Sequence, residues 1–534
     1  MLSKISRHLQ TPELYFTLLL ISLLGLGLGL RLYDLTDEPI DFHPTRQLRG
    51  AIVARGMYYE MSPSASSDIR QRAMAFWRST GQYEPPILER LVAITDLALG
   101  QEVMWLGRLY NSIFWIIGGI FLFLLAKRLT NTAIANQIEG DDQTQAISLG
   151  AALIALAYYL VLPFSVQASR SFQPDPGMVV WIILAAYALY RWSETQEWKW
   201  ALATGIFAGV AVLTKAVAFY TVAGAIAAVV IYTFIFQTPK FNWKAVAKMV
   251  GSLQVWVITL LTVAPTIIYY LGRGGRASEY ISSWTLALAH LLVSPMTYLR
   301  WLNLVQSLVG WFALLLAVAG ILLAKGRARA LLIGLWLGYI LYGFFLPYQM
   351  YTHSYYHLQL VPLVALSIAP TAQFVLGWVL KLGKVWQILF ASLAIVWLAY
   401  SAWIALIPLY SQNYRNERPY WQEIASYLPE DGKIVALTQD YGYRLMYYGW
   451  RKVTLWPNRG EQRLNELRGV DKEFQEDFEK YTRGKRYFLI TAFRQFDDQP
   501  TLKEYLYANY AVLADGQGYI IFDLSQTINA ASAP

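Results

Sequence analysis

The chain has 534 residues, 56% of them hydrophobic and only 15% charged, with a formal net charge of +9 and no cysteine. So apolar a composition excludes a soluble multi-domain enzyme of this length, and the lack of cysteine excludes disulfides, thiolate nucleophiles and cysteine-held metals. The basic residues fall between apolar segments and form no continuous stripe, which speaks for membrane topology and against nucleic acid as a partner.

Crossing a hydrocarbon core of roughly 30 Å takes about 20 apolar residues. The stretches that reach about this length are 14–33, 104–126, 147–166, 177–192, 199–214, 216–236, 250–270, 302–324, 330–347, 358–380 and 386–408. They predict a polytopic α-helical membrane protein with about 11 spans. The first follows the basic segment "MLSKISRHLQ" and has no small-x-small cleavage site after it, so it reads as an uncleaved span. "WALATGIFAGVAVLTKAVAFYTVAGAIAAVVIYTFIF" is too long for one helix, and Thr214-Lys215 near its middle predicts a hairpin.

Lys4 and Arg7, Lys127-Arg128, Arg191 with Lys199, Lys240 to Lys248, Lys325 to Arg329, and Lys381 with Lys384 occupy alternate short loops. The positive-inside rule places these loops and the N-terminus in the cytoplasm. Loops 34–103, 167–176, 214–216, 271–301 and 348–357 then face outward, as does the tail after an odd number of spans.

That tail is of another kind. Helical stretches ("YWQEIASYL", "KEFQEDFEKYT") alternate with strand-like runs ("KIVALT", "KVTLW", "RYFLIT", "YIIFDL"), and "ADGQG" predicts a turn before the last strand. The expected organisation is a membrane domain, 1–409, that includes the external loop 34–103, and an external α/β domain, 410–534.

The polar outliers gather on the outward side. "DEPIDFHPTRQ" brings Asp37, Glu38, Asp41, His43 and Arg46; "YEPPILERL" brings Glu84; "SRSFQPDPG" brings Arg170 and Asp175; Lys215 marks the hairpin; and "YQMYTHSYYHLQ" brings His353, Tyr355, Tyr356 and His357. A carboxylate can take the proton of an attacking hydroxyl, and cations can stabilise charge growing on a phosphate leaving group. Plainer readings exist for each. The acids can be solvated loop residues, and Arg46, Arg49 and Arg55 can line an amphipathic interfacial helix. Asp175 between two prolines can form a turn, and Lys215 can snorkel. His353 and His357 can be hydrogen-bonded loop residues or, with Glu84, ligands of a divalent metal ion. "LGRGGRASEY" follows no strand and reads as a flexible loop, not a P-loop.

"HPTRQLRGAIVARGMYYE", "EPPILERLVAITDLALGQEVMWLGRLYNSIF", "SRSFQPDPGMVVWIILAAYALYRW", "GVAVLTKAVAFY" and "HSYYHLQLVPLVALS" follow one another in an order that resembles the GT-C glycosyltransferases. The resemblance is to the branch of protein O-mannosyltransferases and lipid A aminoarabinose transferases, and it covers nearly the whole membrane part. It implies inverting transfer of a sugar from a polyprenyl-phosphate donor to a lipid, glycan or protein acceptor, on the outer face of a bacterial plasma membrane. A first-loop aspartate is the base such enzymes use, which makes Asp41 the first choice here, with Asp37 and Glu38 in reserve. Asp175 matches the acid of the second external turn, where it would position the acceptor or assist the base. Lys215 matches the lysine of an "LTK" motif, and His353 with Tyr355 and Tyr356 match a late loop near the carrier phosphate. Arg170 lies in the matched second turn and counts with the phosphate-binding cations. The chain reads Tyr83-Glu84-Pro85-Pro86 where aminoarabinose transferases have acid–Lys–Pro–Pro, so Arg46 or Lys215 would replace the missing lysine.

A transporter or flippase for a lipid-linked sugar is the alternative, but such proteins place charges within spans and show paired halves. A membrane-anchored binding protein would need one span. The predicted topology is testable by fusion after residue 411: alkaline phosphatase is expected to be active there and green fluorescent protein dark, and the opposite pair of results would invert the topology.

Overall fold

The computed structural model describes residues 12–81, 84–134, 142–237, 242–272, 280–469 and 473–528. Most of "LGRGGRASEY" lies outside the described residues. The backbone falls into two compact units, one of residues 1–35 with 108–411 and one of 36–107 with 412–534.

The first unit is helical. Long runs of Leu, Ile, Val and Ala can satisfy their backbone groups in hydrocarbon only as helices. Among the described residues eight helices are long and apolar enough to cross a membrane, or ten if each of two bent pairs is one span. The protein is a multi-pass membrane protein. All eleven predicted stretches are helical, but fewer qualify as straight spans for identifiable reasons. Pro163–Arg170 and Pro174–Thr195 meet at 111°, and Pro295–Val309 and Trp311–Leu323 at 94° across Gly310, whose φ is 84°. Trp198–Thr214 has only 17 residues. The predicted hairpin break is present: Lys215 is extended between that helix and Ala218–Ile231.

Helix packing here rests on small residues, because apolar side chains gain nothing by leaving lipid for one another. Gly334 and Gly338 of the Gly326–Phe345 helix lie against Gly224 of Ala218–Ile231. A Cβ on Gly334 would stand 2.4 Å from the Gly224 carbonyl oxygen. Arg31, fully buried, donates to Ser169 Oγ (2.7 Å), Ser165 Oγ (3.2 Å) and the carbonyls of Gly27 (2.7 Å) and Leu160 (3.0 Å).

The second unit joins three first-loop helices, Pro44–Met61, Ser67–Ser79 and Ile87–Leu99, to the C-terminal α/β segment. Its five strands are β1 (Ile434–Leu437), β2 (Thr454–Leu455), β3 (Tyr487–Ile490), β4 (Tyr510–Gly516) and β5 (Tyr519–Thr527). They lie in the order β2-β1-β3-β5-β4, with β1 to β3 parallel and β5 antiparallel to both β3 and β4. Four strands match the predicted runs. β4, "YAVLADG", carries no strong apolar alternation and is an addition; the predicted turn is the hairpin joining it to β5. Phe478, Phe488, Trp456, Leu502 and Phe522 centre the core beneath the sheet.

The first loop, expected to belong to the membrane domain, packs with the tail instead. Arg55 shows why. It is buried, donates to Glu102 Oε2 at 2.7 Å and to the Tyr447 carbonyl at 2.6 Å, and lies over the rings of Tyr447 and Trp450 at 3.9 and 4.7 Å. Every residue from Gln47 to Tyr58 is buried, so Arg49 and Arg55 do not line an interfacial helix.

Asp96, near the end of Ile87–Leu99, is buried and accepts the Val103 N–H at 2.9 Å. Burial pushes its carboxyl up to about 7, against the Val103 bond and with help from Glu102. A raised carboxyl binds its proton in the folded state where the unfolded chain has lost it, so stability falls as pH climbs from about 4 to about 7. Asp96→Asn, which still accepts the Val103 N–H, is expected to flatten this decline and to stabilise the protein at pH 8 by at least about 1 kcal/mol. Thermal melts of both forms from pH 4 to 8 check it.

Candidate functional site

The stretch Asp37–Gln47 begins with two acids engaged by residues 414–418. Asp37 accepts the Tyr414 N–H with both oxygens (3.1 and 3.0 Å) and the Glu38 N–H at 2.9 Å. Glu38 faces Arg418 Nε at 3.3 Å; burial pushes its carboxyl up, and the guanidinium only partly opposes this. Both acids are therefore buried and committed to holding the loop to the tail.

Asp41 differs. It is half-buried at the mouth of the Pro44–Met61 helix, after which His43 turns left-handed (φ 45°) and Pro44 opens the first turn. The Gln47 amide donates to Asp41 Oδ1 at 2.9 Å and to the Phe42 carbonyl at 2.8 Å, which orients the carboxylate. Next to Gln47, Arg46 pairs with Glu84 Oε1 at 2.9 Å, and Arg49, one helical turn on, stands 3.9 Å from Glu84 Oε2. A carboxylate with its own positioning amide thus adjoins a carboxylate-braced pair of arginines. Gln47 was not singled out in the sequence; the signal was its place one turn into a helix that Asp41 precedes.

The membrane unit holds a second polar set. Asp175 is fully buried in the first turn of Pro174–Thr195, where the helix dipole favours an anion. Lys215, at the helix break, donates to Asp175 Oδ1 at 2.7 Å and lies 4.3 and 5.0 Å from the ring centres of Tyr356 and Tyr355. Lys215 is buried and ion-paired, so it does not snorkel. His353 packs edge-on against the same two rings at 5.6 and 5.9 Å. The hydroxyl of buried Tyr342, whose ring stacks on Tyr356, has no hydrogen-bond partner among the described residues. Arg170 is fully buried and donates to the Asp34 carbonyl at 3.2 Å, a structural contact.

The expected metal ligands do not fit together. Glu84 is engaged with Arg46. His357 is buried with both ring nitrogens in use: Nε2 meets the Met350 carbonyl at 2.9 Å, which assigns it the proton, and Nδ1 meets the Tyr339 hydroxyl at 2.6 Å. No group of three or more His, Cys, Asp or Glu able to hold a metal ion occurs among the described residues.

Solved structures with a similar backbone bear on this arrangement. ArnT from Cupriavidus metallidurans bound to undecaprenyl phosphate has a TM-score of 0.55 and 14% identity, over 96% of this chain and 98% of its own. The apo form of the same enzyme gives the same score and identity over 98% and 100%. The chain has the fold of the GT-C glycosyltransferases. A family model described as dolichyl-phosphate-mannose-protein mannosyltransferase matches residues 145–269, the segment that carries Arg170, Asp175 and Lys215. Among curated protein sequences none matches.

Breaking the Asp175–Lys215 pair in this GT-C fold leaves one charge buried alone. Lys215→Ala is expected to destabilise the protein by about 3–5 kcal/mol, and the double change Lys215→Ala with Asp175→Ala by clearly less. Melting in detergent checks it; equal losses in the single and double variants would show that the pair is not coupled.

Proposed function

We propose that this membrane glycosyltransferase moves a sugar from a polyprenyl-phosphate donor to an acceptor hydroxyl, with inversion, and that Asp41 is the general base. One observation carries the reading: of the three acids in Asp37–Gln47, Asp41 alone is half-buried and set by a neighbouring amide, next to the braced Arg46 and Arg49. Asp37 and Glu38 are already committed to the tail.

In the proposed reaction the acceptor O–H gives its proton to Asp41 as its oxygen bonds to the anomeric carbon. The bond from that carbon to the phosphate oxygen breaks, and polyprenyl phosphate leaves with the bonding pair. A single displacement inverts the centre, and one carboxylate suffices for it. Arg46 and Arg49 would take up the charge growing on the phosphate, with Glu84 fixing their direction. Lys215, between two tyrosine rings and anchored by Asp175, is the membrane unit's own cation for a lipid phosphate. That an ArnT structure holds undecaprenyl phosphate supports the donor class, and the family match to mannosyltransferases of dolichyl-phosphate-mannose supports the reaction class. Both favour transfer over the transporter alternative. The inner membrane, with the N-terminus cytoplasmic and the C-terminal domain outside, is the proposed setting.

Asp41→Asn keeps the hydrogen bond from Gln47 and removes the base. It is expected to lower sugar transfer by about 10²–10⁴-fold with donor KM unchanged. The measurement is release of polyprenyl phosphate and of its sugar by mass spectrometry, using purified protein and membrane lipids. Normal turnover by a folded Asp41→Asn would remove Asp41 from this role.

A further inference from the structure

The parallel half of the sheet contains a feature that the transfer chemistry does not use. After β1 the chain adds β2 on one side of β1, then crosses to add β3 on the other. In open α/β sheets such a reversal leaves a crevice beyond the carboxyl ends of the two strands that flank it, and ligands bind there. Here those ends are Thr438-Gln439 after β1 and Thr491 after β3.

These residues form a compact polar floor. The Thr438 and Thr491 hydroxyls meet at 2.8 Å, Thr491 Oγ1 donates to Gln439 Oε1 at 2.6 Å, and Gln439 Nε2 donates to the Thr491 carbonyl at 2.9 Å. The chain then enters three consecutive left-handed residues, Asp440 (φ 52°), Tyr441 (φ 56°) and Gly442 (φ 72°). Such a conformation is costly for an ordinary side chain and persists only where surrounding contacts impose it. Asp440 supplies them: one oxygen accepts from Thr45 Oγ1 at 3.0 Å, and the other pairs with Arg444 at 2.5 Å. Arg444 in turn meets Glu417 at 3.0 Å. The consequence is that Tyr441 is 49% exposed, beside Tyr443 at a ring separation of 6.4 Å. Thr45, which anchors the turn, is in the first turn of the helix that Asp41 precedes.

We propose that this crevice binds the acceptor as a glycan chain, with Thr438 and Gln439 meeting its hydroxyls over the buried Thr491 that fixes Gln439, and Tyr441 stacking on a pyranose face. Hydroxyl and amide groups both donate and accept, as sugar hydroxyls do. The floor residues are uncharged, which suits a glycan better than a phosphate. Aromatic rings offer an apolar face of the size of a sugar ring. The Thr45–Asp440 contact fixes the crevice to the Asp41 turn, so a chain held here would present a terminal hydroxyl to that carboxylate. The proposal rests on the reading of Asp41 as base for its catalytic meaning, not for the binding itself.

The experiment is saturation-transfer NMR on the full chain in lipid nanodiscs, with mannopentaose as the probe. The wild type is expected to saturate the ring protons of the probe. Thr491→Val, which removes the buried hydroxyl that fixes Gln439, and Tyr441→Gly, which removes the ring while suiting the positive φ, are each expected to weaken binding about tenfold. Because glycine relieves the strained turn, Tyr441→Gly is expected to melt no lower than the wild type, so its loss of binding cannot come from unfolding. Asp41→Asn is expected to bind the probe like the wild type while losing turnover. A failure of the base assignment then appears in turnover alone, and a failure of the crevice in the NMR alone. No saturation in the wild type, or equal saturation in Tyr441→Gly, would overturn the proposal.

Discussion

In hydrocarbon no water stands in for a lost hydrogen bond, and in a packed interior little does. Each charged group drawn out of water must then be answered by groups within its own reach, and much of this structure consists of such answers. Arg31 is met by two serines and two carbonyls, Lys215 by a carboxylate and two tyrosine faces, and Arg55 by a carboxylate, a carbonyl and two rings. Apart from the Gly27 carbonyl that Arg31 meets on its own helix, these answers come from segments distant in sequence and fasten two parts of the chain.

The same demand separates the acids of Asp37–Gln47 into two kinds. Those that meet tail residues are consumed by folding: Asp37 receives a backbone N–H and Glu38 an arginine. Asp41 meets instead the neutral amide of Gln47, from the helix that it precedes.

A comparable economy is visible in the C-terminal sheet. The contacts that hold Asp440 and Tyr441 left-handed come from Thr45, Arg444 and Glu417, three separate elements. Local sequence would not choose this backbone; the fold imposes it and exposes Tyr441 beside the polar ends of β1 and β3. Stored strain of this kind and a half-exposed aromatic ring are the marks of a surface shaped for something outside the chain.

The sequence by itself determined the membrane class, the positions of the helices, the break at Lys215 and four of the five strands, because each depends on local composition: runs of apolar residues, a charge within one, or a short β-branched and aromatic run. It also pointed to the chemistry-bearing residues, since acids, histidines and a lysine are conspicuous against so apolar a background. Tertiary structure alone decided which partners they meet. That Asp37 is tied to the tail depends on Tyr414, nearly four hundred residues away. That Glu84 and His357 are engaged elsewhere depends on Arg46, Tyr339 and Met350. That the first loop joins the tail depends on Arg55 finding Glu102, Tyr447 and Trp450. A residue type states what a side chain can do; which partner claims it first is a matter of distance, and distance between remote residues exists only in the folded chain.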